Sequence, residues 1–409
     1  MADYLQRFDA APVDQKWSLA RQWLLEEPLP FFAQLRAERP VLVTPEATLA
    51  TRYADCDMIL RQHENFGVDL YKPKQGSYWM AQGDTAEHWR EKSVMRAILD
   101  REDIPDIRDY LAAKAAAFLA AGNGRLEIVE HLTRATPVAL AQDWFGFDDA
   151  NAADLTDWSY WNQQDAFHNQ PFDHAPNSDE IILRREASVI ALAAFLAAVT
   201  AKRALEVKLG SDRNDPITRL LKLSFSGGLK FGVEQVVSNV AGLLVGAVET
   251  TNHCAINALQ ILFARPDVLA AAKAAAIDPQ SFDGFVFEAL RFQPAFPYFF
   301  RTCQSPTVLA RGTPFATEVP PGATVLAVTH SAMFDETMFA DPDRFDPKRP
   351  TADEFTFGLG LHECLGRAIG QVMVPEVVRQ CLLLPDVKPT GPAVFKGGVP
   401  DSYTLTWTV

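Results

Sequence analysis

The sequence has no paired-cysteine framework, no low-complexity tract, no internal repeat and no Gly/Ser-rich linker. Its five cysteines (Cys56, Cys254, Cys303, Cys364, Cys381) are odd in number and scattered. That excludes a disulfide scaffold and points to reduced thiols in a cytoplasmic setting. Without linkers or repeats, the 409 residues read as a single domain over 1–409 rather than as beads on a string. Basic charge is also scarce. Thirty-eight Lys and Arg against 52 Asp and Glu leave a net charge of −14, which argues against nucleic acid and anionic membranes as partners. The opening MADYLQRFDA holds no apolar core of the kind a signal peptide carries. The longest apolar stretch, about Ala187 to Ala201, is shorter than the roughly 18–20 residues of a membrane span. It reads as a well-buried helix, and no membrane association is expected.

What is present is mostly helical. Apolar residues recur at a spacing of 3.6 through a helix-rich body of about 54–290, as in Tyr110 to Ala121, Ile182 to Val207 and Val233 to Phe263. A short strand pair is predicted around Pro45-Glu46, in a β region of about 41–52. After Arg291 prolines crowd in and short strands follow, giving further β regions of about 300–330 and 390–409. The terminal SYTLTWTV alternates apolar and polar residues and reads as one half-buried strand. The fold class is mainly α with a smaller β region (α+β).

The segment Phe357-Gly358-Leu359-Gly360-Leu361-His362-Glu363-Cys364-Leu365-Gly366 carries the most information. A dinucleotide loop would need G-x-G-x-x-G, and Glu363 stands where its third glycine belongs. A zinc site would need Cys and His ligands at other spacings, and the chain has no Cys-x-x-Cys. A buried cysteine in a Gly-rich turn is the plain structural alternative. The whole pattern resembles the haem-binding loop of the cytochrome P450 family, matching at Phe357, Gly358, Gly360, His362, Cys364 and Gly366. The resemblance implies a cytochrome P450 fold, with haem b (iron protoporphyrin IX) between a long central helix and the Cys-ligand loop. Cys364 would be the metal ligand. Glycines let the backbone approach the sulfur, and thiolate ligation favours O–O cleavage.

Other stretches resemble the family in its own order. On the helix Val233 to Phe263, Gly242, Gly246 and Thr250 recur every four residues and share a face. Two interior glycines there suggest a flat object against that face, close helix packing being the ordinary alternative. Glu249-Thr250 resembles the family's acid–alcohol pair, which implies catalytic proton delivery, with Glu where many relatives have Asp. Glu288-x-x-Arg291 and Pro342-Asp343-Arg344-Phe345 resemble a structural ion-pair network. The resemblance makes Arg301, His88, Lys92 and His362 candidate partners of the haem propionates, Lys92 standing where an arginine is usual.

The chain has no flavin or iron–sulfur signature, so electrons would come from a separate ferredoxin or flavodoxin. Arg90, Lys92, Arg96, Lys348, Arg349 and Arg367 could form a basic patch for it. Placed by the resemblance, Gly242, Val245, Pro297, Phe299 and Val399 would line the pocket, and Tyr71 to Trp79 would cover it. These residues are mostly apolar and include no basic anchor, which favours a terpenoid or aromatic substrate over a fatty acid. The expectation is a cytoplasmic, monomeric haem-thiolate monooxygenase that uses O2 to hydroxylate a hydrophobic small molecule. A peroxide-driven peroxygenase and a non-enzymatic haem sensor are the alternatives.

Overall fold

The computed structural model describes residues 3–76, 78–99, 101–226 and 231–409. Ser77, inside the segment expected to cover the pocket, lies outside the described residues. Two compact units share the chain.

The first unit comprises 1–88, 171–173 and 290–364. Its centre is a five-stranded sheet in the order Val41–Val43, Thr48–Ala50, Thr324–Ala327, Phe299–Cys303, Phe66–Gly67. The first two strands form the antiparallel hairpin expected around Pro45-Glu46. The Thr48–Ala50 strand then pairs in parallel with Thr324–Ala327, while the remaining pairings are antiparallel. Leu49, Val325, Leu326, Phe31, Phe32 and Leu35 are fully buried. Burying side chains of this size contributes roughly 1.5–3 kcal/mol each.

In the second unit (89–170, 174–289, 365–409) the helix Val233–Phe263 runs through the middle. Ala135–Trp144, Ala152–His168, Ser178–Lys208 and Arg367–Leu382 all pack against it. Its wide apolar surface explains this, since Val236, Val240, Leu244, Val248, Ala255, Ile256 and Leu259 are all buried. The end of the chain departs from the single strand expected. It breaks at Tyr403 into Val399–Ser402 and Thr404–Thr406, which join different sheets.

The Ala187–Ala201 stretch also differs from expectation. It lies within the helix Ser178–Lys208, which by length and composition is apolar enough to cross a membrane, yet only 33% of its most apolar window is buried. Leu192, Leu196, Val199 and Thr200 face inward, whereas Val189, Ile190, Ala193, Ala194, Ala197, Ala198 and Ala201 are exposed. Alanine counts as apolar, but it is small enough to sit on a surface, so composition overstated the burial.

Candidate functional site

Cys364 ends a loop shaped by two glycines. Gly358 and Gly360 have φ of 66° and 72°, a left-handed conformation that side chains disfavour. At Gly360 a Cβ would also lie 2.5 Å from the Leu60 carbonyl oxygen, so only glycine fits. The amide of Gly358 donates to the Phe355 carbonyl (2.8 Å) and that of Cys364 to the Phe357 carbonyl (2.9 Å). The loop therefore folds back on itself, with Phe299 beside Gly358. Cys364 alone among the five cysteines is exposed. Burial pushes the Cys56 thiol well up and the Cys381 thiol up to about 12, which leaves both inert. Beyond Gly366, the helix Arg367–Leu382 begins.

The same unit gathers His88, His362 and Arg301. The His88 and His362 rings meet edge to face, 5.0 Å between centroids. Nδ1 of His88 lies 3.0 Å from the Trp79 carbonyl oxygen and Nε2 3.3 Å from that of Leu361. A neutral imidazole has one N–H, so only the protonated ring can donate to both. Arg301 is 5% exposed and donates to the Phe300 carbonyl at 2.8 Å. Burial lowers its pKa, and a hydrogen bond with Tyr71 opposes that shift. Tyr71 in turn stacks on Phe300, 4.4 Å between centroids. Among the described residues no carboxylate pairs with Arg301. A buried cation without a counter-charge is unfavourable unless an anion joins it. An exposed thiol, a lone buried guanidinium and two imidazoles fit a metal-centred group with anionic arms.

In the second unit, Gly242, Val245, Gly246, Glu249 and Thr250 all lie on the long helix. Gly242 and Val245 are half-buried, and a Cβ on Gly246 would meet nothing within 4 Å. Thr250 Oγ1 donates to the Gly246 carbonyl, which turns the hydroxyl along that open face. Glu249 points elsewhere, is 2% exposed, and is held by three donors. Arg134 Nε lies 2.7 Å and Nη2 3.0 Å from its two oxygens, and Asn252 Nδ2 is 3.1 Å away. Arg134 Nη2 and Asn252 Nδ2 each also donate to the Pro400 carbonyl at 3.2 Å, next to the buried Val399.

Sequence reasoning missed Arg134 and Asn252, and it read Tyr71 as part of the pocket cover, not as a partner of Arg301. Arg134 ends a π-helical stretch, Val129–Arg134, that carries no motif. Asn252, three residues after Glu249 on one helix, was the sole local signal. Lys92 is 3% exposed, so it cannot belong to a solvated docking patch as expected. Its burial suits an internal charge instead. Pro297 and Phe299 are half-buried.

Comparison with known proteins gives a consistent match. A family model described as Cytochrome P450 matches residues 281–390. Over 376 residues, 87% of this chain and 83% of the other, the sequence is 28% identical to cytochrome P450 monooxygenase PikC of Streptomyces venezuelae. It is also 28% identical to erythromycin C-12 hydroxylase of Saccharopolyspora erythraea, over 78% of this chain and 77% of that one. The ligand-free structure of cytochrome P450 TbtJ1 superposes with a TM-score of 0.79 at 21% identity, covering 93% of this chain and 97% of the other.

Proposed function

This chain is a cytochrome P450 monooxygenase, a haem b enzyme that uses dioxygen, and on that premise we propose that it hydroxylates a hydrophobic small molecule through Cys364, Glu249 and Thr250. The reaction is RH + O2 + 2 e⁻ + 2 H⁺ → ROH + H2O. A ferredoxin or flavodoxin in the cytoplasm supplies the electrons. Bound through a thiolate, the haem supplies reductive activation of dioxygen.

The chain's own residues do the rest. Cys364 holds the metal, presented by Gly358 and Gly360 as the one exposed thiol. Arg301, His362 and Lys92 take the carboxylate arms, whereas both ring nitrogens of His88 already face backbone carbonyls, so His88 reaches an arm only by giving one of them up. Phe357 shields the sulfur, and Gly366 brings the chain into the following helix. Gly242 and Gly246 leave the long helix without side chains on one face. Thr250 Oγ1 passes protons along the open face, and the Glu249 carboxylate takes one up only when the Arg134 and Asn252 donors release it. Gly242, Val245, Pro297, Phe299 and Val399, assigned to the substrate by the resemblance alone, carry no charge and are mostly apolar, which favours an apolar substrate.

The observation that carries this reading is the exposed Cys364 thiol in the same unit as the carboxylate-free Arg301. Its test is turnover of an apolar compound that shifts the Soret band, under labelled dioxygen with a reductase and a ferredoxin. One labelled oxygen atom in the product is expected. Label confined to water, or turnover with peroxide that matches the electron-driven rate, contradicts it and favours the peroxygenase alternative.

A further inference from the structure

The helix Ser178–Lys208 presents an exposed face with an unusual order of residues. At 100° per residue, one stripe contains Glu180, Leu183, Ala187, Ile190, Ala194, Ala198, Ala201, Leu205 and Lys208, and every one is exposed. Leu183, Ile190 and Leu205 are 68%, 71% and 60% exposed. No charge interrupts the stripe between Glu180 and Lys208. The stripe is also nearly palindromic about Ala194. Glu180 and Lys208 stand 14 residues either side of it, Leu183 and Leu205 11, Ala187 and Ala201 seven, and Ile190 and Ala198 four.

We propose that this face is the two-fold interface of a homodimer, in which the helix packs antiparallel on its copy with Ala194 on the axis. Such an isologous contact requires a surface complementary to itself, and this one is. Glu180 of each chain meets Lys208 of the other, Leu183 meets Leu205, and the exposed Ile190 drops into the gap over Ala198. The alternating steps of three and four match an antiparallel pair crossing at about 20°, and the alanines let the backbones approach closely. Both charged residues are available for this pairing. Among the described residues, Glu180 accepts from Asn177 and has no cationic partner, and Lys208 lies over the Phe225 ring, 5.5 Å from its centroid.

A second copy suits the stripe better than a lipid surface, since the opposite charges at its two ends pair with each other only across a two-fold axis. The contact is small. From Leu183 to Leu205 the stripe runs about 33 Å and buries roughly 800 Å² in total, below the range of stable interfaces, so the dimer is a weak one that forms at micromolar concentrations or above. It departs from the monomer expected from sequence, and it is independent of the haem assignment.

Sedimentation velocity on the haem-loaded protein tests this over about 1–200 µM. The mass should rise from 45.3 kDa toward twice that value. Ile190→Glu should hold it at one chain, with an unchanged far-UV spectrum. Lys208→Glu alone should weaken association about tenfold, and Glu180→Lys combined with Lys208→Glu should restore it, because only self-pairing lets the swapped charges meet again. A single-chain mass throughout, no effect of Ile190→Glu, or a double variant as weak as Lys208→Glu would overturn the proposal. Flotation of the single chain on phosphatidylcholine vesicles, lost in Ile190→Glu, would overturn it in favour of a membrane.

Discussion

Arg134 grips both carboxylate oxygens of Glu249, with Nε at 2.7 Å and Nη2 at 3.0 Å. The Glu249 side chain is 1% exposed and that of Arg134 13%. The acid proposed to carry a proton is thus clamped, and Asn252 and the Pro400 carbonyl complete the clamp. Arg134→Met leaves a buried carboxylate short of its counter-charge, and removing one partner of a buried pair destabilises by roughly 3–5 kcal/mol. Urea denaturation should show a loss of that order, toward the low end because Asn252 remains. Arg134→Lys, which keeps the charge and loses the fork, should lose less. Equal stability of Arg134→Met and wild type would show that the clamp contributes nothing.

Arg301 gives a prediction of opposite sign in two measurements. Its buried guanidinium lacks a carboxylate partner among the described residues, so Arg301→Met removes an uncompensated charge from the haem-free protein. Apoprotein stability should hold or rise. Haem should at the same time transfer to a scavenging protein at least about tenfold faster, and Arg301→Lys should recover part of the difference. A purely structural arginine would instead lower apoprotein stability.

The glycines of the Cys364 loop separate two effects. Gly358→Ala meets nothing closer than 3.9 Å, so its penalty is the left-handed backbone alone, about 1–2 kcal/mol. Gly360→Ala adds a collision with the Leu60 carbonyl at 2.5 Å and should be clearly worse in denaturation midpoint and haem content. Equal penalties would mean that the backbone moves aside.

Acid stability should depend on two buried histidines. Burial holds His253 down to about 3 and His330 to about 4. His330 Nε2 donates to the Phe292 carbonyl at 2.9 Å, between the Phe32 and Phe334 rings. Above about pH 6.5 both are neutral folded or unfolded, and stability is full. As pH falls below that value, unfolded chains take up protons that the fold refuses, so stability drops down to about pH 4. Each histidine contributes about 1.4 kcal/mol per pH unit in that window, so His330→Gln should flatten the slope by that amount. An unchanged slope would contradict the burial argument.

How much was legible in the sequence follows the range of the contacts. The Cys364 loop was readable because its glycines, its cysteine and its self-folded amides all lie within ten residues. Glu249 and Thr250 were readable as neighbours on one helix, but the orientation of Glu249 was not. It depends on Arg134, 115 residues away in sequence, and on a carbonyl of the Val399 strand. Tyr71 beside Arg301 is hidden for the same reason. The helix Ser178–Lys208 was misjudged on different grounds: periodicity locates a helix, but an alanine face looks alike to composition whether inward or outward.

The central claim is that Cys364 binds the haem iron as a thiolate, and the absorption spectrum of the reduced, carbon-monoxide-bound protein tests it most directly. A Soret band shifted far to the red in the wild type and lost in Cys364→His is the predicted result. A histidine-type band in the wild type, or a red-shifted band that survives Cys364→His, would contradict it.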